Sequence, residues 1–221
     1  MNIMIHCCPQ RFDYTDNWLQ PELSRQGADE VRLYVDYARR GNLRACMDAF
    51  ASCEGEGGTW HLQDDVLPAR DFVERAKDYT GEHVVCGFVN EACGPDANLR
   101  GAVYAPDMWY SFPCIYIPNR LARECAAWYR SGAWRSIQDA TLLAIFEDGH
   151  GDDAFFMEFM TARHVGDTVV NLAPNLVEHI DLLLGGSTVN PWRGYWARSA
   201  YWDDEERVED VKRWIKSRVR N

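Results

Sequence analysis

The sequence of 221 residues predicts a single α/β domain, with a mostly parallel central sheet flanked by helices. Three observations lead there. Apolar or alternating runs of strand length recur through residues 1–90, and stretches of helical periodicity separate them. Hydrophobic residues make up 47% of the chain, enough to cover a sheet and too many for a disordered polypeptide. No internal repeat divides the chain, and its length suits one core.

Asn2–Cys8 (NIMIHCC) is apolar and stops at Pro9, as a first strand would. Asp16–Gln26 carries Trp18, Leu19 and Leu23 at helical spacing, with Asp16 placed to cap it and Gly27 to end it. Val31–Asp36 alternates like a strand. Gly41-Asn42 breaks the chain before a helix over Leu43–Cys53, whose Leu43, Cys46, Met47 and Phe50 share a face. Gly55–Gly58 is a turn, and Thr59–Leu62 is a third strand running into Gln63-Asp64-Asp65. A helix over Ala69–Tyr79 and a strand over Val84–Val89 follow. This rhythm predicts parallel strands joined by right-handed crossovers. In such sheets ligands bind beyond the carboxyl ends of the strands, where Asp64 and Asp65 fall.

The second half is less regular. Ser111–Pro118 reads as a strand interrupted by Pro113, Leu121–Arg130 and Ile137–Asp148 as helices. A turn rich in glycine and acids (EDGHGDD) leads into an apolar helix over Ala154–Met160. Thr168–Leu172 reads as a strand, Pro191–Trp202 as a loop rich in Trp and Tyr, and Asp204–Val219 as a last helix.

The net charge is −11 and the pI about 5.0, which argues against general nucleic-acid binding. Arg213, Lys216, Arg218 and Arg220 crowd the C-terminus as a solvated helix end. The eight cysteines, Cys7, Cys8, Cys46, Cys53, Cys86, Cys93, Cys114 and Cys125, include no CxxC pair. Those in apolar runs, Cys7, Cys46, Cys86 and Cys114, are expected as buried thiols. Met1–Cys8 lacks a basic leader, and no apolar run reaches the roughly 20 residues of a membrane helix. The expectation is a cytoplasmic protein with no membrane span.

Three motifs carry chemistry. In His61-Leu62-Gln63-Asp64-Asp65-Val66-Leu67-Pro68, two adjacent carboxylates follow a strand. They repel each other unless a cation or donors offset them. Magnesium or manganese does so, taking few protein oxygens and completing its shell from substrate phosphates. The same acids also suit the first turn of a helix. Gly151-Asp152-Asp153-Ala154-Phe155 is a second acid pair, either capping the next helix or supplying a general base. Pro174-Asn175-Leu176-Val177-Glu178-His179 offers a histidine that becomes a ligand only if the chain folds it beside Asp65.

In this order, behind an alternating start, these motifs resemble the GT-A nucleotide-sugar glycosyltransferases. LQDDVLP is similar to their acidic DxD-type motif, in the LEDDV form of family-25 enzymes and of branching N-acetylglucosaminyltransferases. GDDAF is similar to the acidic acceptor-side motif of inverting members, and family-2-like enzymes share the general pattern. PNLVEHI resembles the PSLVQHI stretch of the branching enzymes. The likeness covers Ile3–Gly186 and implies one GT-A (Rossmann-like) domain over 1–221. Its nucleotide-binding half would be 1–90, its acceptor half 91–190, and 191–221 a C-terminal loop and helix.

The resemblance further implies Mn2+ or Mg2+ on Asp65, with Asp64 nearby and His179 opposite. It implies a nucleotide-diphosphate sugar as donor, most commonly a UDP-sugar. Arg11 would meet the diphosphate or the base, Asp36 would accept from the base, and Asn42 would open the next helix. Gln63 stands where an acid is common and is a weaker metal ligand, so it would contact the nucleotide sugar or be a bystander. Asp153, or Asp152, would deprotonate the acceptor in an inverting displacement, and a retaining mechanism returns if neither acid is near the acceptor. The acceptor stays open among glycan, protein, small molecule and modified nucleic-acid base, the last as in phage-type enzymes. A magnesium-dependent nucleotidyltransferase is a competing reading, although no Gly-rich or basic phosphate loop appears early in the chain. A carbohydrate-binding module, suggested by nine Trp and ten Tyr, is another.

Overall fold

A computed structural model describes residues 1–79, 81–88, 103–104, 112–172, 174–186, 202 and 204–219. The predicted loop at Pro191–Trp202, save Trp202, lies outside these residues, as do Val89, Cys93, Ser111 and Arg220. Strand β1 (Asn2–Cys7) leads into a run of turns made of a 3-10 turn (Pro9–Arg11), α1 (Phe12–Tyr14), a π turn (Thr15–Leu19) and α2 (Gln20–Arg25). Then come β2 (Glu30–Val35), α3 (Asn42–Ala51), β3 (Gly58–Gln63), β4 (Val66–Pro68), α4 (Phe72–Ala76) and β5 (Val84–Cys86). The rest is β6 (Val103–Tyr104), β7 (Cys114–Pro118), α5 (Asn119–Ser131), α6 (Ala140–Glu147), α7 (Asp152–Arg163), β8 (Val169–Asn171), β9 (Val177–His179) and α8 (Glu205–Val219).

The first helical run starts earlier than its periodicity suggests. Pro9, with its fixed φ, opens it directly after β1, so Asp16 lies inside the π turn and caps nothing. Gly27, at φ 96°, ends it as expected.

The main sheet has seven strands in the order β2-β1-β3-β7-β5-β8-β6. Strands β2, β1, β3, β5 and β8 run one way, and β7 and β6 run against them. The parallel rhythm of residues 1–90 therefore holds in direction. In adjacency it does not, because β7 slips between β3 and β5. Its Cys-Ile-Tyr-Ile-Pro run is buried at every residue, which suits a central position. Pro113 stands just before β7, and its carbonyl accepts from Gln63 N at 3.0 Å.

A second, two-stranded sheet pairs β4 with β9 in antiparallel register, Val66 opposite His179. This ribbon ends just before the span expected as helix, Ala69–Tyr79, of which α4 fills only Phe72–Ala76.

Helices cover both faces. On one, Leu43, Met47 and Phe50 of α3, Leu121 and Cys125 of α5, Phe146 of α6 and Phe155 of α7 pack on Ile115, Ile117 and Val169. On the other, Leu19, Leu23, Phe72 and Val211 pack on Ile3, Ile5, Trp60 and Leu62. Alternate side chains of β5 and β7 feed different cores: Val84, Cys86, Ile115 and Ile117 the first, Val85, Cys114 and Tyr116 the second. The seven described cysteines are thiols, with Cys7, Cys46, Cys86 and Cys114 buried.

Helix α8 is fastened by Arg207, which is 5% exposed. It pairs with Glu22, donates to Pro68 O at 3.2 Å, and lies 4.9 Å over the Trp18 ring. At the opposite side of the sheet, the loop before α3 meets the turn between α6 and α7 backbone to backbone. A Cβ on Gly41 (φ 99°) would stand 2.3 Å from Gly149 O, while Leu43 N donates to that oxygen at 2.9 Å.

Gly41→Ala should therefore destabilise the protein by more than the roughly 1–3 kcal/mol of its glycine-only backbone conformation. Gly27→Ala, at a similar φ with nothing within 4 Å, isolates the backbone term. Urea unfolding of both variants checks this, and equal losses would show that the close approach is unimportant.

Candidate functional site

Among the described residues, the carboxyl edge of the sheet gathers the buried charges Arg11, Asp36, Asp64, Asp65, Asp152 and Asp181. Strand β3 is buried from Thr59 to Leu62, so its register is fixed by the core, and its end delivers Gln63 and the turn Asp64-Asp65. The turn connects two strands, β3 and β4, so neither acid caps a helix. Strand β9 is laced to it: Ile180 N donates to Asp65 O at 2.7 Å, and Leu176 N donates to Gly87 O beyond β5 at 2.7 Å. Tyr14 Oη closes the other side on Val66 O at 2.8 Å.

Two like charges so placed need compensation, and three donors supply it. Cys8 N donates to Asp64 Oδ2 at 2.6 Å. Arg11, only 4% exposed, sits in the 3-10 turn after β1 and straddles the pair. Its Nη1 donates to Asp64 Oδ1 at 3.0 Å and also to Asp65 Oδ2, and its Nη2 donates to Gly186 O at 2.8 Å. His179 Nε2 lies 3.2 Å from Asp65 Oδ2, and its Nδ1 is 3.7 Å from Asp181 Oδ1. The Phe88 ring packs beside His179, with centroids 6.2 Å apart.

The electrostatics follow. Burial pushes the Asp65 carboxyl up, yet His179 and Arg11 outweigh it and hold the group below the carboxylate range. Asp64 is raised, by burial and by the charge of Asp65. Burial lowers His179, but Asp65 beside it reverses the sign and favours the imidazolium.

A second cluster forms where α7 begins. Asp152 is buried, and its Oδ1 accepts from Asn42 Nδ2 at 2.5 Å. Its Oδ2 accepts from Gln63 Nε2 at 3.4 Å, which ties it to the residue preceding Asp64. Asn42 also bonds Leu43 N at 3.1 Å and faces His150 Nδ1 at 3.3 Å. Burial, then the charge of Asp153, push Asp152 up to about 7. Asp153 is half-buried and accepts from Ala154 N at 2.8 Å.

The structure thus joins Arg11, Asp64, Asp65 and His179 in one cluster, and Asn42, Gln63 and Asp152 in another that Gln63 links to the first. It gives Asp36 a local duty: Oδ2 accepts from Arg40 N at 2.6 Å and Gly41 N at 3.2 Å, holding the loop before α3. Arg11, expected on a diphosphate or base, is here the counter-ion of the acids. Sequence reasoning missed His150, Asp181 and Phe88. The first two flank motifs that it had found, but nothing in their local pattern sets them apart.

Among the described residues no three His, Cys, Asp or Glu side chains converge to hold a metal. One buried atom nevertheless suits a hard cation: Asp65 Oδ1 has no hydrogen-bond partner among these residues. A divalent ion that takes few protein oxygens and fills its shell from phosphates fits such a donor set. No protein-family model matches the chain, and no curated protein matches it.

Asp152 gives a pH signature. Its folded value near 7 exceeds the ordinary 3.8, so the unfolded chain ionises first as pH rises. The contribution is fully present below about pH 4 and lost between about pH 4 and 7. Asp152→Asn lacks this titration. Relative to wild type, the variant should gain on the order of 2–4 kcal/mol from pH 4 to pH 8. Denaturant unfolding at both values measures the change, and a constant difference would contradict the assignment.

Proposed function

We propose that this protein is a metal-assisted glycosyltransferase of GT-A type, acting in the cytoplasm on a nucleoside-diphosphate sugar with inversion. The observation that carries the reading is the meeting of separate sequence motifs at one sheet edge. Asp64-Asp65 from β3, His179 from β9 and Arg11 after β1 share contacts, and Gln63 connects them to Asp152. Doubly wound sheets bind ligands at this edge. The described cysteine thiols fit a reducing compartment, and no helix among the described residues is long and apolar enough to cross a membrane.

In this mechanism Asp65, through its unpartnered oxygen, would hold Mn2+ or Mg2+, and His179 would join it on giving up the proton that Asp65 favours. When bound, that ion offsets the charge developing on the leaving diphosphate. Arg11 adds a fixed positive charge beside it. The acceptor oxygen attacks the anomeric carbon as the bond from that carbon to the diphosphate oxygen breaks. The hydroxyl proton passes to a carboxylate at the start of α7. Asp152 is assigned this role ahead of Asp153, because it is joined to Gln63 and its value near 7 matches neutral conditions. Asp153 then acts on Asp152 through its charge.

A UDP titration with Mn2+ should raise Tm by roughly 5–10 °C at about 100 times Kd. EDTA should remove the shift, and Asp65→Ala should abolish it. A shift indifferent to chelator, or none with any nucleoside diphosphate, would end the reading.

The assignment of the base has its own test, once a screen of glycan, protein, small-molecule and modified-base acceptors finds a substrate. Asp152→Asn should keep UDP binding and lose roughly 10²–10⁴-fold in transfer. Asp153→Asn should retain transfer with its acidic limb moved to lower pH, since a like charge that raises Asp152 is removed. The reverse pattern would move the role to Asp153.

A further inference from the structure

The acid pair of this site is already neutralised by the protein itself. Arg11 Nη1 rests on both carboxylates, where the proposed function places a divalent ion. Arg11 Nη1 occupies Asp64 Oδ1 and Asp65 Oδ2, oxygens of the carboxylates that a cation would need. A bare divalent ion would have to displace this guanidinium and leave it buried without its counter-ions, which is costly. An ion arriving with a diphosphate would not.

Hydrogen bonding adds a second, independent observation. Arg11 is buried, yet its Nε has no hydrogen-bond partner among the described residues. Asp65 Oδ1 is in the same condition a few atoms away on the other side of the ion pair. A buried unpaired donor and a buried unpaired acceptor each keep the full cost of having lost water. A site designed only as a structural ion pair would satisfy both. A ligand carrying anionic oxygens and a cation satisfies both at once, the oxygens on Arg11 and the cation on Asp65.

We infer that Arg11 is an exchangeable counter-ion. It holds Asp64 and Asp65 in the ligand-free protein, yields them to a divalent cation that arrives with a diphosphate, and then serves the diphosphate. This rests on the nucleoside-diphosphate reading above. It makes cation and diphosphate binding mutually dependent, with Arg11 as the residue that suppresses binding of the cation alone.

The test measures Mn2+ binding without nucleotide, by electron paramagnetic resonance of the free ion. Arg11→Gln should bind Mn2+ alone more tightly than wild type, by roughly 5–150-fold, the usual span of coupling between ligands. Arg11→Lys keeps the charge but not the two-carboxylate grip, and should tighten Mn2+ by less. It also covers the case in which the neutral variant fails to fold. Adding Asp65→Asn to either variant should erase the gain, which places the ion at the acid pair. UDP should strengthen Mn2+ binding in wild type and do so less in Arg11→Gln. If neither Arg11 variant binds Mn2+ more tightly, or if the gain survives Asp65→Asn, the inference is overturned. If wild type binds no nucleoside diphosphate, the transferase reading fails instead, and the Mn2+ comparison still decides whether Arg11 blocks the cation.

Discussion

Burying two adjacent carboxylates is the constraint around which this edge of the molecule is arranged. Asp64 and Asp65 are 6% and 9% exposed, so water cannot screen their repulsion. Compensation has to come from elsewhere in the chain, and each contributor fixes an element. Cys8 N and Arg11 bind the end of β1 to the end of β3. His179 binds the β4–β9 ribbon to the same point, and Ile180 N on Asp65 O locks its register. Removing one partner of such a buried set leaves an uncompensated charge, which costs more than the pair contributes.

The two cores support this edge from opposite faces. The core beneath α3, α5 and α7 positions the start of α7, where Gly151 at φ 76° lets the chain turn into the helix and aim Asp152 at Gln63 and Asn42. The core beneath α2, α4 and α8 holds the ribbon, with Arg207 reaching from α8 to Pro68 at the end of β4. Strand β7 lies between, buried along its length, and its entry at Pro113 accepts from Gln63 N. Gln63 is therefore held by its backbone to β7 and by its side chain to α7. That makes it the joint between the acid pair and the candidate base.

Much of this was legible in the sequence where the signal is local. The strand and helix alternation of residues 1–90 marks β1, β2, β3 and α3 to within a residue or two, because each buries one face with its own period. The acid pair, the acidic start of α7 and His179 stand out as polar groups at the ends of apolar runs. What stayed hidden is long-range. Nothing in CIYIP tells that β7 enters antiparallel between β3 and β5. Val66–Pro68 reads as a lead-in to a helix until Val177–His179 pairs with it. Asp16 looks like a cap because Pro9, a better start, lies beyond the apolar periodicity. Asp152 and Asp153 differ by about 100° of helix rotation, and only packing decides which one is buried. The partnership of Arg11 with both acids spans the gap between β1 and β3 and leaves no trace in either segment.

The central claim is that the acid pair held by Arg11 is a site for a cation and a diphosphate rather than a structural ion pair. A crystal structure of the protein grown with UDP and Mn2+, read by anomalous scattering from manganese, tests it most directly. The account predicts a manganese peak bonded to the Asp65 carboxylate, with the diphosphate beside it and Arg11 contacting phosphate oxygen. A structure with UDP bound elsewhere, no manganese at Asp65 and Arg11 still on both carboxylates would contradict it.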